Sequence, residues 1–264
     1  MHAEPLPRPQ PLRFDNARGQ PLAGVLHKPA GEARAYAVFV ACFTCSKDIP
    51  VAVRLARALA QHGFGVLRFD LTGLGESGGS FNETDFESEV DDVLRAAAWL
   101  DAHAQAPHLL VGHSLGGAAV LEAAARLPEV RAVTTIGTPA TLDHITDLLH
   151  SETEERHPDG SLTATIGGQR FTFAPHFLDT LARYSPTQAA ARLNRAYLVM
   201  HAPADSIVPY SQARALFDAA AEPRAFVSLD DTDHLLRRQA DVDYCADLIS
   251  AWVSRPLAAA RTRR

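Results

Sequence analysis

The sequence predicts a single α/β domain built around a mostly parallel sheet. Strand-like apolar runs alternate with helical segments along the chain, which is the pattern of parallel sheets joined by helices. Several of the strand-like runs are apolar without interruption, as expected for strands that are buried on both faces. With 264 residues, of which 47% are hydrophobic, the chain is long enough to bury one large core or two small ones.

The elements are predicted in order along the chain. Residues 12–29 have the pattern of a hairpin, and residues 35–43 that of a buried strand. The segment 50–63 is amphipathic, with Pro50 suited to a first helical turn and Gly63 to a C-terminal cap. Further strands are predicted at 64–70, 108–114, 131–137, 195–203 and 224–230, and helices at 86–103, at 115–127 and after each of the last two strands.

One connection is too long for a simple crossover. More than fifty residues separate the strand that ends near Gly137 from the strand that starts near Arg195. This connection contains a second hairpin pattern at 160–173, around two adjacent glycines. It follows the carboxyl end of a strand, where α/β proteins bind their ligands. The predicted division is therefore a core of residues 1–138 and 195–264 with an inserted cap at 139–194.

Composition and charge argue against several classes of protein. The net charge of −6 offers no basic face of the kind that nucleic-acid binders present. The first residues contain prolines where a signal peptide has an apolar run, and no apolar stretch approaches membrane-spanning length. Three cysteines are few and odd in number, which argues against a disulfide framework. We expect a cytoplasmic monomer or homodimer without nucleic-acid or membrane partners.

The stretch VGHSLGG at 111–117 is the most informative motif. It places Gly112-x-Ser114-x-Gly116 directly after a predicted strand and directly before a predicted helix. In that context the serine sits on a sharp turn that raises its hydroxyl above the sheet, and the glycines let strand and helix approach closely. The start of the helix also directs unpaired N–H groups at the site. This context favours a nucleophile over a chance match in a turn.

A serine nucleophile needs a base, and the base needs an orienting acid. Asp205 and His234 follow two later strands in the order that this arrangement requires, and their loops leave the same edge of the sheet as Ser114. The alternatives are a turn aspartate and a surface-loop histidine. Three further aspartates lie too close to His234 in sequence to come from a separate strand: Asp230, Asp231 and Asp233.

Together these residues resemble the α/β-hydrolase superfamily over nearly the whole chain. The stretch FDLTGLGESGG at 69–79 is similar to the family's D-x-x-G-x-G-x-S loop, and HAPADSIVP at 201–209 to its acid-bearing segment. CFTCSKD at 42–48 adds a narrower resemblance to the hydrolase half of bacterial proteins that fuse this domain to an OsmC-like domain, here without the OsmC-like part. The resemblance implies an α/β-hydrolase fold and serine-hydrolase chemistry, with no cofactor and no metal.

The same resemblance implies an oxyanion hole built from two backbone N–H groups. One belongs to Leu115, directly after the serine, and the other to the loop after the third strand. The family often has His-Gly-x in this loop, which matches Ala41, Cys42 and Phe43. Phe43 N–H is the expected second donor, with Thr44 as the alternative.

Cys42 and Cys45 have C-x-x-C spacing within this loop. We expect small buried packing residues, because free cysteine behaves as a small hydrophobe. A redox thiol and half of a zinc site are the alternatives, and the zinc site lacks a second ligand pair. Cys245 lies on an apolar helix face and is expected in the core.

The sequence thus predicts a serine hydrolase that cleaves a small-molecule carboxylic ester through an acyl-enzyme on Ser114. A thioesterase, amidase or acyltransferase would use the same residues. A redox protein using the cysteine pair and a non-catalytic binding protein are alternatives from other classes. Five residues are expected to line the substrate pocket or to pack beside it: His113, Phe171, Phe173, His176 and Phe177.

Overall fold

The computed structural model describes residues 5–42, 44–166 and 168–261. The first part of the chain forms six strands and three α-helices, as the alternation predicts. The strands are β1 (Gln10–Asp15), β2 (Pro21–His27), β3 (Ala35–Val40), β4 (Phe64–Phe69), β5 (Leu109–His113) and β6 (Ala132–Ile136). The helices are α1 (Pro50–Gln61), α2 (Phe86–His103) and α3 (Leu115–Ala124), and a 3-10 helix spans Phe81–Glu83.

The long connection after β6 folds into elements of its own. These are α4 (Asp143–Glu152), β7 (Thr153–Arg156), β8 (Leu162–Ile166), β9 (Gln169–Phe173), α5 (Phe177–Leu181) and α6 (Pro186–Arg192). Strands β7, β8 and β9 form a separate antiparallel sheet, and β8 and β9 are the predicted hairpin. Gly167, in the turn of that hairpin, lies outside the described residues.

The chain then completes the central sheet. The last elements are β10 (Ala196–His201), α7 (Tyr210–Ala219), β11 (Arg224–Ser228) and α8 (Gln239–Arg261). Within the described residues the central sheet has eight strands in the order β1-β2-β4-β3-β5-β6-β10-β11. Strand β2 is antiparallel to both of its neighbours, and all other pairs are parallel. The predicted mostly parallel sheet is therefore confirmed.

Helices cover both faces of this sheet, and the side chains of a single strand show it. Val38 and Val40 pack into the cluster beneath α2 and α3, whereas Phe39 points to the opposite face, beneath α1 and α8. Neighbouring side chains of a strand alternate between faces, so an uninterrupted apolar run is what a sheet covered on both sides requires. Among the described helices, none is long and apolar enough to span a bilayer.

The bounds of the predicted cap stay a prediction. Helix α6 falls inside the interval 139–194 and packs against α3 and α7. The small sheet lies beside the loops after β3 and β4, with which its β8–β9 hairpin lines a cavity. Phe171 and Phe173 of β9 join this part to the core through edge-on contacts with Phe81.

Candidate active site

Ser114 occupies a strained turn between β5 and α3. Its backbone has φ 55° and ψ −128°, a region that residues other than glycine seldom adopt. Ser114 N–H donates to Ile136 O over 2.9 Å, and Thr138 Oγ1 donates to Ser114 O over 3.1 Å. These bonds to the end of β6 hold the strained conformation in place.

The glycines around Ser114 are needed because the end of β5, the start of α3 and the loop after β3 come into close contact there. A methyl group on Gly112 would lie 2.5 Å from Gly116 O, and one on Gly116 would overlap Ala41 O in the loop after β3. A methyl group on Gly117 would collide with Thr138 Oγ1. The G-x-S-x-G motif therefore packs the serine turn directly against the loop that is expected to carry an oxyanion donor.

Asp205 and His234 form a direct, buried hydrogen bond. His234 Nδ1 donates to Asp205 Oδ2 over 2.7 Å, and the side chains are 7% and 1% exposed respectively. Because a carboxylate can only accept hydrogen bonds, the neutral His234 ring carries its proton on Nδ1. The lone pair on Nε2 is then available to accept a proton. The other carboxylate oxygen, Oδ1, accepts N–H bonds of 2.8 Å from Ile207 and from Val208.

These donors keep Asp205 ionised. Burial by itself would raise the pKa of the carboxyl, but the hydrogen bond and charge of His234 and the N–H groups of Val208 and Ile207 outweigh it. The pKa of Asp205 therefore lies below its ordinary value. An ionised carboxylate beside Nδ1 stabilises a positive charge on an imidazole ring.

Two fully buried histidines support this pair. His113 Nε2 donates to His234 O over 2.7 Å, and His201 Nε2 donates to Val208 O over 2.9 Å. Burial, with a smaller contribution from His234, lowers the pKa of His113 to about 3, so its ring is neutral. His113 was expected to line the pocket or to pack beside it, and its enclosed ring bonds to the backbone that carries His234.

Gly137 places the acid–histidine pair beside the serine turn. It has φ +59°, and a methyl group there would lie 3.1 Å from His234 Nδ1 and 3.4 Å from Asp205 Oδ2. Gly137 directly follows Ile136, whose carbonyl holds Ser114. Among the described contacts no hydrogen bond joins Ser114 Oγ to His234, and such bonds often tighten only when substrate binds.

The predicted oxyanion donors are only partly described. Leu115 is the first residue of α3, where an N–H group has no acceptor within the helix. Phe43, the expected second donor, lies outside the described residues. Its neighbour Thr44 adopts φ +60°, so the loop after β3 contains a second strained residue beside the site.

A buried ion network anchors the far end of this loop. Asp70 is fully buried and accepts from both Lys47 N–H and Lys47 Nζ, the latter over 3.0 Å. Lys47 Nζ also donates to Glu76 over 2.7 Å and to Asp48 over 2.9 Å, and Arg68 donates to Lys47 O over 2.8 Å. Burial opposes the charge on Lys47, but its bonds to these carboxylates outweigh burial and raise its pKa.

The same network explains the glycine motif after β4. A methyl group on Gly75, which has φ +53°, would overlap the Asp70 carboxylate. Glu76 N–H, the next donor along the chain, bonds to Asp70 Oδ2 over 2.9 Å. The D-x-x-G-x-G-x-S pattern at 70–77 thus encloses a carboxylate that holds the neighbouring loop. Sequence reasoning found this motif but missed its partner, Lys47.

The two loop cysteines depart from expectation. Cys42 and Cys45 form a disulfide, whereas free packing cysteines were expected. Cys42 is buried and Cys45 is half-buried. A bridged pair offers no thiolates for zinc, which does not fit the zinc alternative. Cys245 is a free buried cysteine, as predicted, and burial raises its pKa to about 12.

The cap residues divide into three environments. Phe171 lines a cavity of about 520 Å³ between the loop after β3, the loop after β4 and the β8–β9 hairpin. Phe173 and Phe177 are each 1% exposed and contact one another with tilted rings, whose centroids lie 5.3 Å apart, so they form core rather than open pocket. His176 is exposed and faces Asp85 at 3.7 Å, away from this cavity's lining.

Comparisons with known proteins agree with this architecture. Residues 38–190 match the family model described as alpha/beta hydrolase fold. The chain is 39% identical to the esterase domain of a Rhodothermus marinus protein, with a TM-score of 0.79 over 94% of this chain and 99% of that one. Est1E from Butyrivibrio proteoclasticus with bound ferulic acid has a TM-score of 0.76 at 17% identity, over 94% and 99% of the two chains, and shows the fold alone.

Two kinds of curated relative are also similar. The rat mitochondrial palmitoyl-protein thioesterase ABHD10 is 26% identical over 78% of this chain and 70% of its own length. The lysophosphatidylserine lipase ABHD12 of Danio rerio is 27% identical over 66% of this chain but only 44% of its own. The narrower likeness to OsmC fusion proteins stays a prediction. With its family-model match, its sheet order and its relatives, the chain belongs to the alpha/beta hydrolase fold family.

Proposed function

We propose that this protein is a serine hydrolase that cleaves carboxylic esters through an acyl-enzyme on Ser114. The observation that carries the proposal is the buried 2.7 Å hydrogen bond from His234 Nδ1 to Asp205. This pair packs against Gly137, which lies beside the strained Ser114 turn. A buried acid–histidine pair with Nε2 left unprotonated is the arrangement that activates a serine hydroxyl.

In the proposed reaction Ser114 Oγ attacks the ester carbonyl carbon while His234 Nε2 accepts the hydroxyl proton. Asp205 holds the ring and stabilises the resulting imidazolium. The oxyanion accepts hydrogen bonds from Leu115 N–H and from the loop after β3, with Phe43 as the proposed donor. His234 then protonates the departing alcohol, and a water molecule activated by the same ring releases the acid from Ser114.

The two histidine rings that support the Asp205–His234 pair are uncharged, which suits this reaction cycle. The ring must gain and lose one proton in each half of the reaction, so fixed positive charges next to it would hinder proton uptake. Burial keeps His113 and His201 in their neutral forms, since it lowers the pKa of both. Both rings also fix backbone carbonyls of the loops that carry His234 and Asp205.

A thioesterase is the second candidate. It is favoured by the likeness to a relative whose name is palmitoyl-protein thioesterase, whereas the more similar relative from Rhodothermus marinus is described as an esterase domain. The triad would act in the same way on both, but a departing thiol has a lower pKa than an alcohol and needs less help from a protonated His234. An amidase or acyltransferase would use the same residues.

Serine-directed fluorophosphonate labelling tests the proposal. We expect one label on Ser114, found by peptide mass spectrometry, and loss of p-nitrophenyl butyrate hydrolysis in Ser114→Ala. Ser80→Ala, which removes an exposed serine in the loop after β4, serves as the matched control and should keep both activity and labelling. An unlabelled wild-type protein with equal turnover in Ser114→Ala would refute the assignment.

Paired substrates separate the two candidates. A butyryl ester, thioester and amide with the same acyl group differ only in the leaving group, so their kcat/KM values rank the leaving groups directly. Preference for the ester by more than about tenfold supports the esterase proposal, because that ratio exceeds about 1.4 kcal/mol of transition-state free energy. Preference for the thioester by the same margin supports the thioesterase.

A further inference from the structure

We propose that the Cys42–Cys45 disulfide is a thiol-exchange site, reduced by a dithiol that enters the cavity beneath the cap, and that its reduction slows acyl transfer. The effect on turnover rests on the proposed function of Ser114. The exchange itself does not, and the two can be tested apart.

The disulfide closes a ring at the place where the active-site loop leaves β3. Ala41, the residue before the ring, packs its carbonyl against Gly116 of the serine turn. Within the ring Cys45 N–H donates to Cys42 O over 3.0 Å, and Thr44 adopts φ +60°. A β-branched residue takes this conformation only when its surroundings impose it. The ring imposes it on Thr44, the alternative oxyanion donor.

A reductant can reach one of the two sulfur-bearing residues. Cys45 is half-buried and, with Thr44 and Ser46, forms one wall of the 520 Å³ cavity that Phe171 and Ile166 of the cap line from the other side. Cys42 is only 6% exposed. The cavity therefore presents Cys45 for attack and leaves Cys42 as the departing thiolate.

The other end of the loop is held independently of sulfur. The backbone N–H and carbonyl of Lys47 bond to Asp70 and Arg68, and its ammonium group pairs with the buried Asp70 carboxylate. These bonds do not involve the ring, so they persist when it opens. Reduction then frees only the residues between β3 and Lys47, and the fold around them stays intact.

The exchange balances with a dithiol as the reductant. One thiolate of the dithiol attacks Cys45 Sγ, which forms a mixed disulfide and breaks the Cys42–Cys45 bond. Cys42 leaves as a thiolate and takes up a proton. The second thiol of the reductant, as its thiolate, attacks the reductant's own sulfur in the mixed disulfide and releases Cys45. Two electrons pass to the protein, and the reductant ends as its disulfide.

Opening the ring should lower kcat more than it changes KM. Thr44 can then return to ordinary backbone angles, which turns its own N–H, the alternative oxyanion donor, away from the developing oxyanion. Loss of a whole oxyanion donor lowers kcat by about 10²- to 10³-fold. Reduction does not change Leu115 N–H or the Asp205–His234 pair, and the opened loop still adopts its former geometry part of the time. We therefore expect kcat to fall by only about tenfold.

The first experiment counts thiols without any assay of hydrolysis. After oxidation with diamide, maleimide labelling of the unfolded protein should modify one cysteine, Cys245. After native-state reduction with dithiothreitol followed by unfolding, it should modify three, which are all the cysteines of the chain. Three modified cysteines in the diamide-treated protein would overturn the disulfide, and one after dithiothreitol would overturn its accessibility to a dithiol.

The second experiment measures p-nitrophenyl butyrate hydrolysis in both states. The wild type should lose about tenfold in kcat on reduction, and the double variant Cys42→Ser/Cys45→Ser should have the reduced rate in both conditions. Cys245→Ala, which keeps the bridge, should respond like the wild type. Equal kcat of oxidised and fully reduced wild type overturns the proposed effect on turnover. Fluorophosphonate labelling of Ser114 in the same samples shows whether the hydrolase proposal itself has failed.

Discussion

Replacing Gly137 with alanine should lower kcat about tenfold, because the added methyl group presses on the histidine that is proposed to activate Ser114. The methyl carbon would lie 3.1 Å from His234 Nδ1. Unstrained contacts of this kind fall at about 3.5–4.0 Å, so the ring has to retreat by roughly half an ångström. A misplacement of about 1 Å can reduce a rate by about 10²-fold, and half of that displacement corresponds to about tenfold.

The substitution also strains the backbone, and the chain offers a control for that effect. Gly137 has φ +59°, and a left-handed alanine costs about 1–2 kcal/mol of folding free energy. Gly19, in the turn between β1 and β2, has φ +74° and no atom within 4 Å of an added methyl group. Gly19→Ala therefore carries the same kind of strain without touching the site.

Both variants should lower the melting temperature by several degrees, at roughly 2–4 °C for each kcal/mol in a chain of this size. Only Gly137→Ala should lose activity, measured as kcat for p-nitrophenyl butyrate at a temperature where both proteins are folded. If Gly137→Ala retains the kcat of Gly19→Ala, the methyl group does not displace His234, and the inferred contact between β6 and the acid–histidine pair is wrong.

Two further predictions concern stability. Asp70→Asn should lower the free energy of unfolding by about 3 kcal/mol, the low end for breaking a buried pair, because Glu76 and Asp48 still face Lys47. The exposed pair of Arg214 and Asp218 is the control. Asp218→Asn should change the free energy of unfolding by less than about 1 kcal/mol, and equal losses for the two variants in urea titrations would refute the special role of Asp70. Burial, with smaller contributions from Asp92 and Asp85, raises the pKa of Glu89 to about 8. Glu89 therefore binds one proton more in the folded protein than in the unfolded chain between about pH 4.5 and 8, and its contribution to stability falls as pH rises through this window, by up to about 1.4 kcal/mol per unit. Asp92, whose pKa is raised to about 6, adds to this slope, whereas His27, His113 and His201, whose pKa values are lowered by burial, oppose it below about pH 7. Urea titrations of the wild type and of Glu89→Gln at about pH 6.5–8 should therefore differ by the slope of Glu89, and equal slopes in the two proteins would contradict the assignment.

Local patterns determined much of the fold from sequence. Strand and helix periods depend on which faces of a segment are buried, and a G-x-S-x-G turn is defined within five residues. The serine turn at Ser114 could therefore be placed before any coordinates. The order of Asp205 and His234 could be inferred as well, because parallel strands bring their carboxyl ends to one edge. The cytoplasmic location and the monomeric or homodimeric state stay predictions.

Contacts between distant segments were decided by the tertiary structure alone. Lys47 and Asp70 are 23 residues apart, and no local pattern shows that the lysine's ammonium and backbone N–H meet one carboxylate. The bond between the His113 ring and His234 O was likewise not readable from sequence, because the two residues are 121 positions apart. Helix α6 lies within the predicted cap interval, and its own sequence does not show that it meets α3 and α7.

The two cysteines in the loop after β3 also combine a feature that the sequence predicts with one that only the tertiary structure shows. The sequence determined that two sulfurs lie within one short turn, but bridging requires a specific approach of the two backbones. The Cα atoms of Cys42 and Cys45 come to 5.2 Å in a turn closed by the hydrogen bond from Cys45 N–H to Cys42 O, and the serine turn packs against Ala41 just before it. The sequence supplies the two cysteines, and the backbone conformation that lets them bridge is seen only in the folded loop.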